Sequence, residues 1–408
     1  MTGRAFHGSF TQQEAIPEDA IARATAVLRS GRLHRYNLVG EEQSEAALLE
    51  ADFARALGVA HCLACASGGY AMHIALKAFG LKPGEPVLTN AFTLSPVPGA
   101  IDNAGGSAVL VEITDDLVLD LADLERKIAS SGARLLLLSH MRGHLVDMER
   151  LLSLLTARGV ALIEDCAHTM GAAWNGRPSG TFGLAACFST QTYKHINSGE
   201  GGLLTSDDAD LMARAVLLSG SYMLYERHGA APPAEAFQDA RYEQPNYSGR
   251  MDNLRAAILR PQLADLTRQV DRWNARYRAV EEILRSALGL RLPRRPAAEA
   301  YVGSSIQFLA PGLDATACRD LLARCLARGV ELKWFGAAEP SGFTSRHQNW
   351  RYLPAQSLPQ SDGVLSQLFD MRLPLTFSLA DCRLIAEIIA ECHAEVLEGG
   401  PPALEAGA

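Results

Sequence analysis

Between residues 86 and 190 the chain repeats one pattern, a short and almost wholly apolar run followed by helical sequence. The apolar runs are PVLTN (86–90), SAVLVEI (107–113), ARLLLLSH (133–140), VALIEDCAH (160–168) and AACFST (185–190). LADLERKIAS (121–130) and DMERLLSLLTARG (147–159) are amphipathic stretches between them. A strand with one wet face alternates polar and apolar residues. Runs that are apolar throughout are buried on both faces, which is the condition of a parallel sheet between two layers of helices. The pattern predicts an α/β protein with a mostly parallel central sheet. In such sheets ligands sit beyond the carboxyl ends of the strands. The polar residues there are Thr89-Asn90, Ser139-His140, Glu164-Asp165 and Ser189-Thr190.

Helices are expected at 17–30, with Pro17 near the start and Gly31 past the end, at 42–57 before Gly58, and at 69–79 before Gly80. After about residue 255 the texture changes. A long helix from Asp252 through Arg285, interrupted at Pro261, is followed by an apolar strand near 304–310 and helices at 314–328 and 379–397. This reads as a smaller α+β domain. The expected division is an N-terminal arm (1–14), a large domain (15–255), a small domain (256–398) and a disordered tail (399–408). With 408 residues and 48% hydrophobic content the chain can bury two cores.

The net charge is −8 and basic residues are scattered among acidic ones, which argues against nucleic acid as a partner. MTGRAFHGSFTQQEA has no basic segment leading into an apolar core, and no apolar run approaches the ~20 residues a bilayer requires. The expectation is a cytoplasmic protein with no membrane contact. Eight cysteines in a chain of this length make no dense disulfide framework, and Cys62 and Cys65 form a lone C-x-x-C that reads as two buried thiols rather than a zinc site. No feature points to a metal.

Four features belong to one rim. Ala66-Ser67-Gly68-Gly69 precedes a helix, where backbone N–H groups and the helix dipole suit a phosphate. Asp165 and Ser189 each end an apolar strand, and Lys194 lies in the mixed loop QTYKHINSGEGG. Singly these are a turn, a helix cap, a strand end and a surface lysine. Together they are what pyridoxal 5'-phosphate requires: an amine for the aldehyde, an acid for the pyridine nitrogen, and a cradle with a hydroxyl for the phosphate.

With those residues in place the sequence resembles the DegT/DnrJ/EryC1/StrS sugar aminotransferases, which have the type I aminotransferase fold. The resemblance runs from about residue 10 to about 398, through ASGGYAMHIAL, TNAFTLSPVPGAI, VLDLADLE, SHMRGHLVDME, ALIEDCAHTMGA, ACFSTQTYKHINSGEGG and NYSGRMDNLRAAI. It implies that Lys194 forms the Schiff base and that Asp165 pairs with the pyridine nitrogen. It also implies that Ala167 packs under the ring, Phe92 stacks on the other face and His168 lies near the phenolic oxygen. Gly68, Gly69 and Ser189 would bind the phosphate. In this family an Asn of the neighbouring subunit completes the phosphate site; Asn246 is the candidate, which implies a homodimer with a shared active site. Three departures stand out. Gly69 replaces a usual Thr, two extra residues follow Asn246, and Arg142 occupies a position where many relatives have an aromatic residue.

The resemblance implies amino transfer from L-glutamate or glutamine to a keto sugar, in amino-sugar, cell-surface polysaccharide or natural-product biosynthesis. A minority of the family are sugar deoxygenases or dehydratases with histidine in place of the lysine. The reactive residue lies five after the phosphate serine, and from Ser189 that position is Lys194, with His195 next to it. A non-catalytic, cofactor-bound regulator is the reading from another class; it has no need of Lys194 and Asp165. The acceptor stays open between a nucleotide-linked keto sugar and a sugar acid. Arg142 favours the acid, because a guanidinium matches a carboxylate in two-pronged fashion. His195 and Trp334 are further substrate candidates, and the basic and aromatic stretches Lys333-Trp334-Phe335 and Arg346–Tyr352 could line an acceptor pocket. The alternative is that Arg142 makes a structural salt bridge and that these aromatic residues are small-domain core.

Overall fold

The computed structural model describes residues 4–399. Of the expected tail at 399–408, all but residue 399 lies outside the described residues. A seven-stranded sheet runs in the order His61–Cys65, Gly202–Ser206, Ala185–Ser189, Ala161–Asp165, Leu135–Ser139, Pro86–Asn90 and Ser107–Val111. Gly202–Ser206 is antiparallel to both of its neighbours, and the other pairs are parallel. The run Leu135–Ser139 shows why these strands are apolar throughout. Leu135 and Leu137 pack into one hydrophobic cluster with Leu63, Val87 and Ile163, while Leu136 and Leu138 pack into another with Leu88, Val111 and Leu162. Alternate side chains therefore feed two cores, one on each face.

The helices covering those faces start and stop where local chemistry dictates. Asp120 caps Leu121–Ser131 through the amides of Ala122 and Asp123, and Asp147 caps Met148–Arg158 through Arg150 N–H. Both end at a glycine in the left-handed region, Gly132 and Gly159, where a side chain would be strained. The fold is the mostly parallel α/β sheet that the sequence predicts, with several strands and helices that the pattern passes over. Among them are His61–Cys65, Gly202–Ser206, Pro96–Asn103 and Ala209–Val216.

The C-terminal part is built on three antiparallel strands, Ser305–Leu309, Leu368–Arg372 and Lys333–Trp334, with helices Leu266–Ser286, Ala315–Ala327 and Leu379–Leu397. Phe6 and Phe10, read as part of an arm, pack edge-on against Phe377 within its core. One boundary needs correction. Pro261 lies inside the helix Asn253–Ala264, and the break comes at Asp265, whose carboxylate binds Arg268 and Gln269 of the next helix. A proline removes one ladder hydrogen bond but does not by itself end a helix that its neighbours pack in place. All eight cysteines are buried and unpaired, Cys62 and Cys65 included.

Candidate functional site

At the carboxyl ends of the strands, one cavity is lined by Ser67, Gly68, Gly69, Asp165, Ala167, His168, Ser189 and Lys194, among others. Its floor is made of backbone. Ser67 caps the helix Gly68–Phe79 by accepting from Tyr70 N–H, so the first amides of that helix open on the cavity. The segments meet so closely that only glycine fits at two points. A Cβ on Gly202 would stand 2.3 Å from the Ser67 carbonyl carbon, and one on Gly68 would stand 2.9 Å from Ser189 Cβ. Gly69 is different. A Cβ there meets nothing nearer than 3.8 Å, so its missing hydroxyl is not imposed by packing.

Asp165 ends its strand 6% exposed, accepting from Ser139 Oγ at 2.8 Å and from Ala167 N–H at 3.1 Å. Lys194 sits in a turn closed by its own N–H to Gln191 O, and its Nζ lies 3.2 Å from His168 Nε2. Burial pushes the Lys194 amine down to about 7; Asp165 opposes that shift, while Arg142 and Arg372 add to it. Burial also drives His168 well below the usual histidine range, with the charges of Lys194 and Arg142 assisting, so its ring is neutral. The site thus holds an acid, an amine balanced near neutrality, a neutral imidazole and a cradle of amides.

Three expected residues, Phe92, His195 and Trp334, fall elsewhere, and Asn246, expected to serve a neighbouring subunit, lies outside this cavity. Phe92 does not line the cavity. It is 1% exposed, packed edge-on against Phe335 at 5.1 Å among Ile113, Leu117 and Met141, and Leu94 lines the cavity instead. His195 points away into a neighbouring cavity, where its Nε2 meets Ser304 Oγ at 3.1 Å and its ring meets Trp273 edge-on; burial pushes it down to about 3. Trp334 belongs to the small-domain core, its indole N–H donating to Ser366 O at 2.8 Å. Asn246 is exposed and outside this cavity, next to Tyr247. Most of the 346–352 stretch is structural as well. Trp350 is buried against Leu358, and His347 pairs with Asp362 at 2.9 Å.

Arg142 lines the cavity and also makes the salt bridge that was its alternative reading, with Nη2 2.7 Å from Asp370 Oδ2. Lys333, part of the basic and aromatic stretch singled out as a possible acceptor lining, does line the cavity; Arg372, Ser304 and Phe343 line it without having been singled out. Ser139 was visible only as a polar strand end. Behind the rim, ligand atoms of His140, Glu164 and Cys166 lie within 4.8 Å of one another. The Glu164 oxygens there already accept from the amides of Gly180, Phe182 and Gly183.

The model of the DegT/DnrJ/EryC1/StrS aminotransferase family matches residues 14–389. The pleiotropic regulatory protein of Geobacillus stearothermophilus is 29% identical over 282 residues, which is 68% of this chain and 70% of that one. The UDP-N-acetyl-3-dehydro-alpha-D-glucosamine 3-aminotransferase of Acidithiobacillus ferrooxidans is 30% identical over 305 residues, 72% of this chain and 77% of that one. Among solved structures, 3-amino-5-hydroxybenzoic acid synthase superposes with a TM-score of 0.81 at 23% identity, covering 96% of this chain and 100% of that one, a likeness of fold. No helix among the described residues is long and apolar enough to cross a membrane. The chain belongs to the DegT/DnrJ/EryC1/StrS aminotransferase family, whose members depend on pyridoxal 5'-phosphate.

Proposed function

We propose that this chain moves an amino group from an amino-acid donor, L-glutamate or glutamine, to a keto sugar in amino-sugar biosynthesis in the cytoplasm. The observation that carries the reading is the Lys194 amine, sheltered in one cavity with Asp165 and held near neutrality. An amine that loses its proton near pH 7 serves both as a nucleophile toward an aldehyde and as a carrier of protons.

The residues fit the cofactor. Gly68 and Gly202 let the backbone close in so tightly that a Cβ would clash, and Ser67, Gly68, Gly69 and Ser189 line the cavity at the start of a helix, where backbone amides suit a phosphate. Asp165 offers a buried carboxylate to a ring nitrogen, held in line by Ser139 and the Ala167 amide. Bound there, the cofactor supplies the electron sink for charge developing at the donor Cα. Lys194 Nζ takes the proton from that Cα and returns it. His168, kept neutral by burial, accepts a hydrogen bond from the amine without competing for its charge. Asn246, outside the cavity of its own chain, is proposed to reach the phosphate of a second copy, making the working unit a homodimer.

Protein loaded with pyridoxal phosphate and mixed with L-glutamate should lose its bound-cofactor absorbance band. Lys194→Ala should abolish that change and lower turnover by about 10⁴-fold, the upper range for a positioned acid–base group. A band that no amino donor moves, or a Lys194→Ala variant with native turnover, would sink the reading.

A further inference from the structure

Lys333, Asp370 and Arg372 share one face of the small-domain sheet. Lys333 is paired directly with Asp370 across antiparallel strands, and Arg372 lies two residues farther along. Asp370, fully buried, accepts from Gln307 Nε2 at 2.8 Å through Oδ1, and its Oδ2 forms an ion pair with Arg142 Nη2 at 2.7 Å without a hydrogen bond of its own. Arg142 arrives from the large domain, in the turn after Leu135–Ser139, with φ 56° and ψ 21°. A non-glycine residue held there is strained, and such strain persists only where its surroundings enforce it.

The cluster sets three cations against one acid. Arg142 is 7% exposed and its Nε–H has no hydrogen-bond partner; Arg372 buries one guanidinium nitrogen without a partner and lies 3.7 Å over the Tyr193 ring. Lys333 has no ion pair among the described residues, and burial followed by the charge of Arg142 pushes its amine down. All three line the cavity of Lys194. The other carboxylates that line it are Asp165 at the strand end and Glu200, which is exposed. Buried donors without partners cost free energy unless something binds them.

We propose that Arg142, Lys333 and Arg372 form a carboxylate subsite, and that the amino acceptor is a keto compound carrying its own acid group, such as a keto sugar acid. The proposal rests on the amino-transfer reading. Amino transfer uses the cavity twice. The donor's carboxylate fills the subsite in the first half and departs with the keto acid. A neutral acceptor in the second half leaves the excess charge unanswered on a half-desolvated wall, whereas an acid acceptor does not. A guanidinium fork fits a carboxylate in two-pronged fashion. Arg142 and Arg372 line the same cavity as the Lys194 amine where amino transfer takes place. That nearness selects an acid on the reacting sugar over the diphosphate of a nucleotide carrier, which stands a sugar ring away.

The test is a single-turnover reaction of enzyme charged with L-glutamate and freed of excess donor. The acceptors are a keto-hexuronic acid, the keto-hexose that differs from it only in carrying a hydroxymethyl group, and a nucleotide-linked neutral keto sugar. The acid should react about 10²-fold faster than its neutral counterpart, the size of one strong hydrogen bond to a charged group. Lys333→Gln and Arg372→Gln should each cut that preference by about tenfold, and Lys333→Arg should keep it. These variants spare the Arg142–Asp370 pair, so folding is not at stake as it is with Arg142→Gln. Equal rates for acid and neutral acceptors, or a nucleotide-linked neutral sugar that outpaces the acid, overturn the proposal while leaving amino transfer intact. So does a loss confined to charging by L-glutamate, which would assign the subsite to the donor alone. Wild-type enzyme that no amino donor charges brings down the amino-transfer reading and the subsite with it.

Discussion

Arg35 and Arg142 are both buried arginines that meet a buried carboxylate, and the two pairs differ in how far the chain itself satisfies them. Arg35 grips Glu50 with both prongs of its fork at 2.7 Å and lies 3.2 Å from His228 Nε2. Glu50 also accepts from Ala64 N–H, and Tyr36 bridges His228 to Ser221. Burial alone would raise the Glu50 carboxyl; Arg35 and His228 outweigh it and bring it to about 2. Arg142 touches Asp370 through one nitrogen and lines a cavity, and in both arginines the buried Nε–H is left without a partner. One region fixes its charges from within. The other leaves charge to be answered from outside, and in the same cavity burial brings an amine to neutrality instead of holding it ionised.

Breaking the closed pair should have the largest effect on folding. Arg35→Ala leaves Glu50 buried and unpaired, and should cost about 3–5 kcal/mol in urea or thermal unfolding. A loss below about 1 kcal/mol, the value of a surface pair, would erase the distinction. The next effect concerns Lys194. Its amine is lowered from 10.5 to about 7, so the neutral form that attacks an aldehyde predominates above pH 7. Capture of pyridoxal phosphate by the cofactor-free protein should rise through a midpoint near pH 7, followed by absorbance. A midpoint near the ordinary lysine value would mean the cavity wets the amine. The smallest effect should come from Ser139→Ala, which removes one of the two groups holding Asp165. A hydrogen bond to a charged group is worth about 1.5–3 kcal/mol, so cofactor affinity measured by titration should weaken by roughly 10- to 100-fold. Unchanged affinity would show that Asp165 is as self-sufficient as Glu50.

The sequence made the sheet legible because each core strand is apolar on both faces, and the helices legible because Asp and Gly punctuate them. It made Asp165 legible as a polar strand end and Lys194 by its spacing from Ser189, once the family resemblance gave those positions a meaning. It hid Gly202–Ser206 and His61–Cys65, since each is five residues beside glycine-rich or polar sequence, and their pairing with each other is long-range. The face that Phe92 presents was equally hidden, because an aromatic residue beyond a strand end packs wherever apolar partners stand, and here that is Phe335. Arg142, Lys333 and Arg372 converge from three separated segments. No local pattern announces such a meeting, which only the packing of the small-domain sheet against the large one brings about.

The pairing of His61 with Ser206 has a consequence for how the protein is made. Ser67 and Gly68 emerge from the ribosome early, but the strand whose Gly202 closes against them is translated only after most of the large domain. Until then the amides at the helix start have no lid, and the loop bearing Lys194 is tethered at one end. A growing chain therefore has no functional pocket until it has passed residue 206, and one halted before that point exposes an unpaired strand edge. Such edges are where nascent chains stick to one another. The same late strand that closes against the cradle also pairs that edge, leaving His61–Cys65 as the outermost strand of the finished sheet.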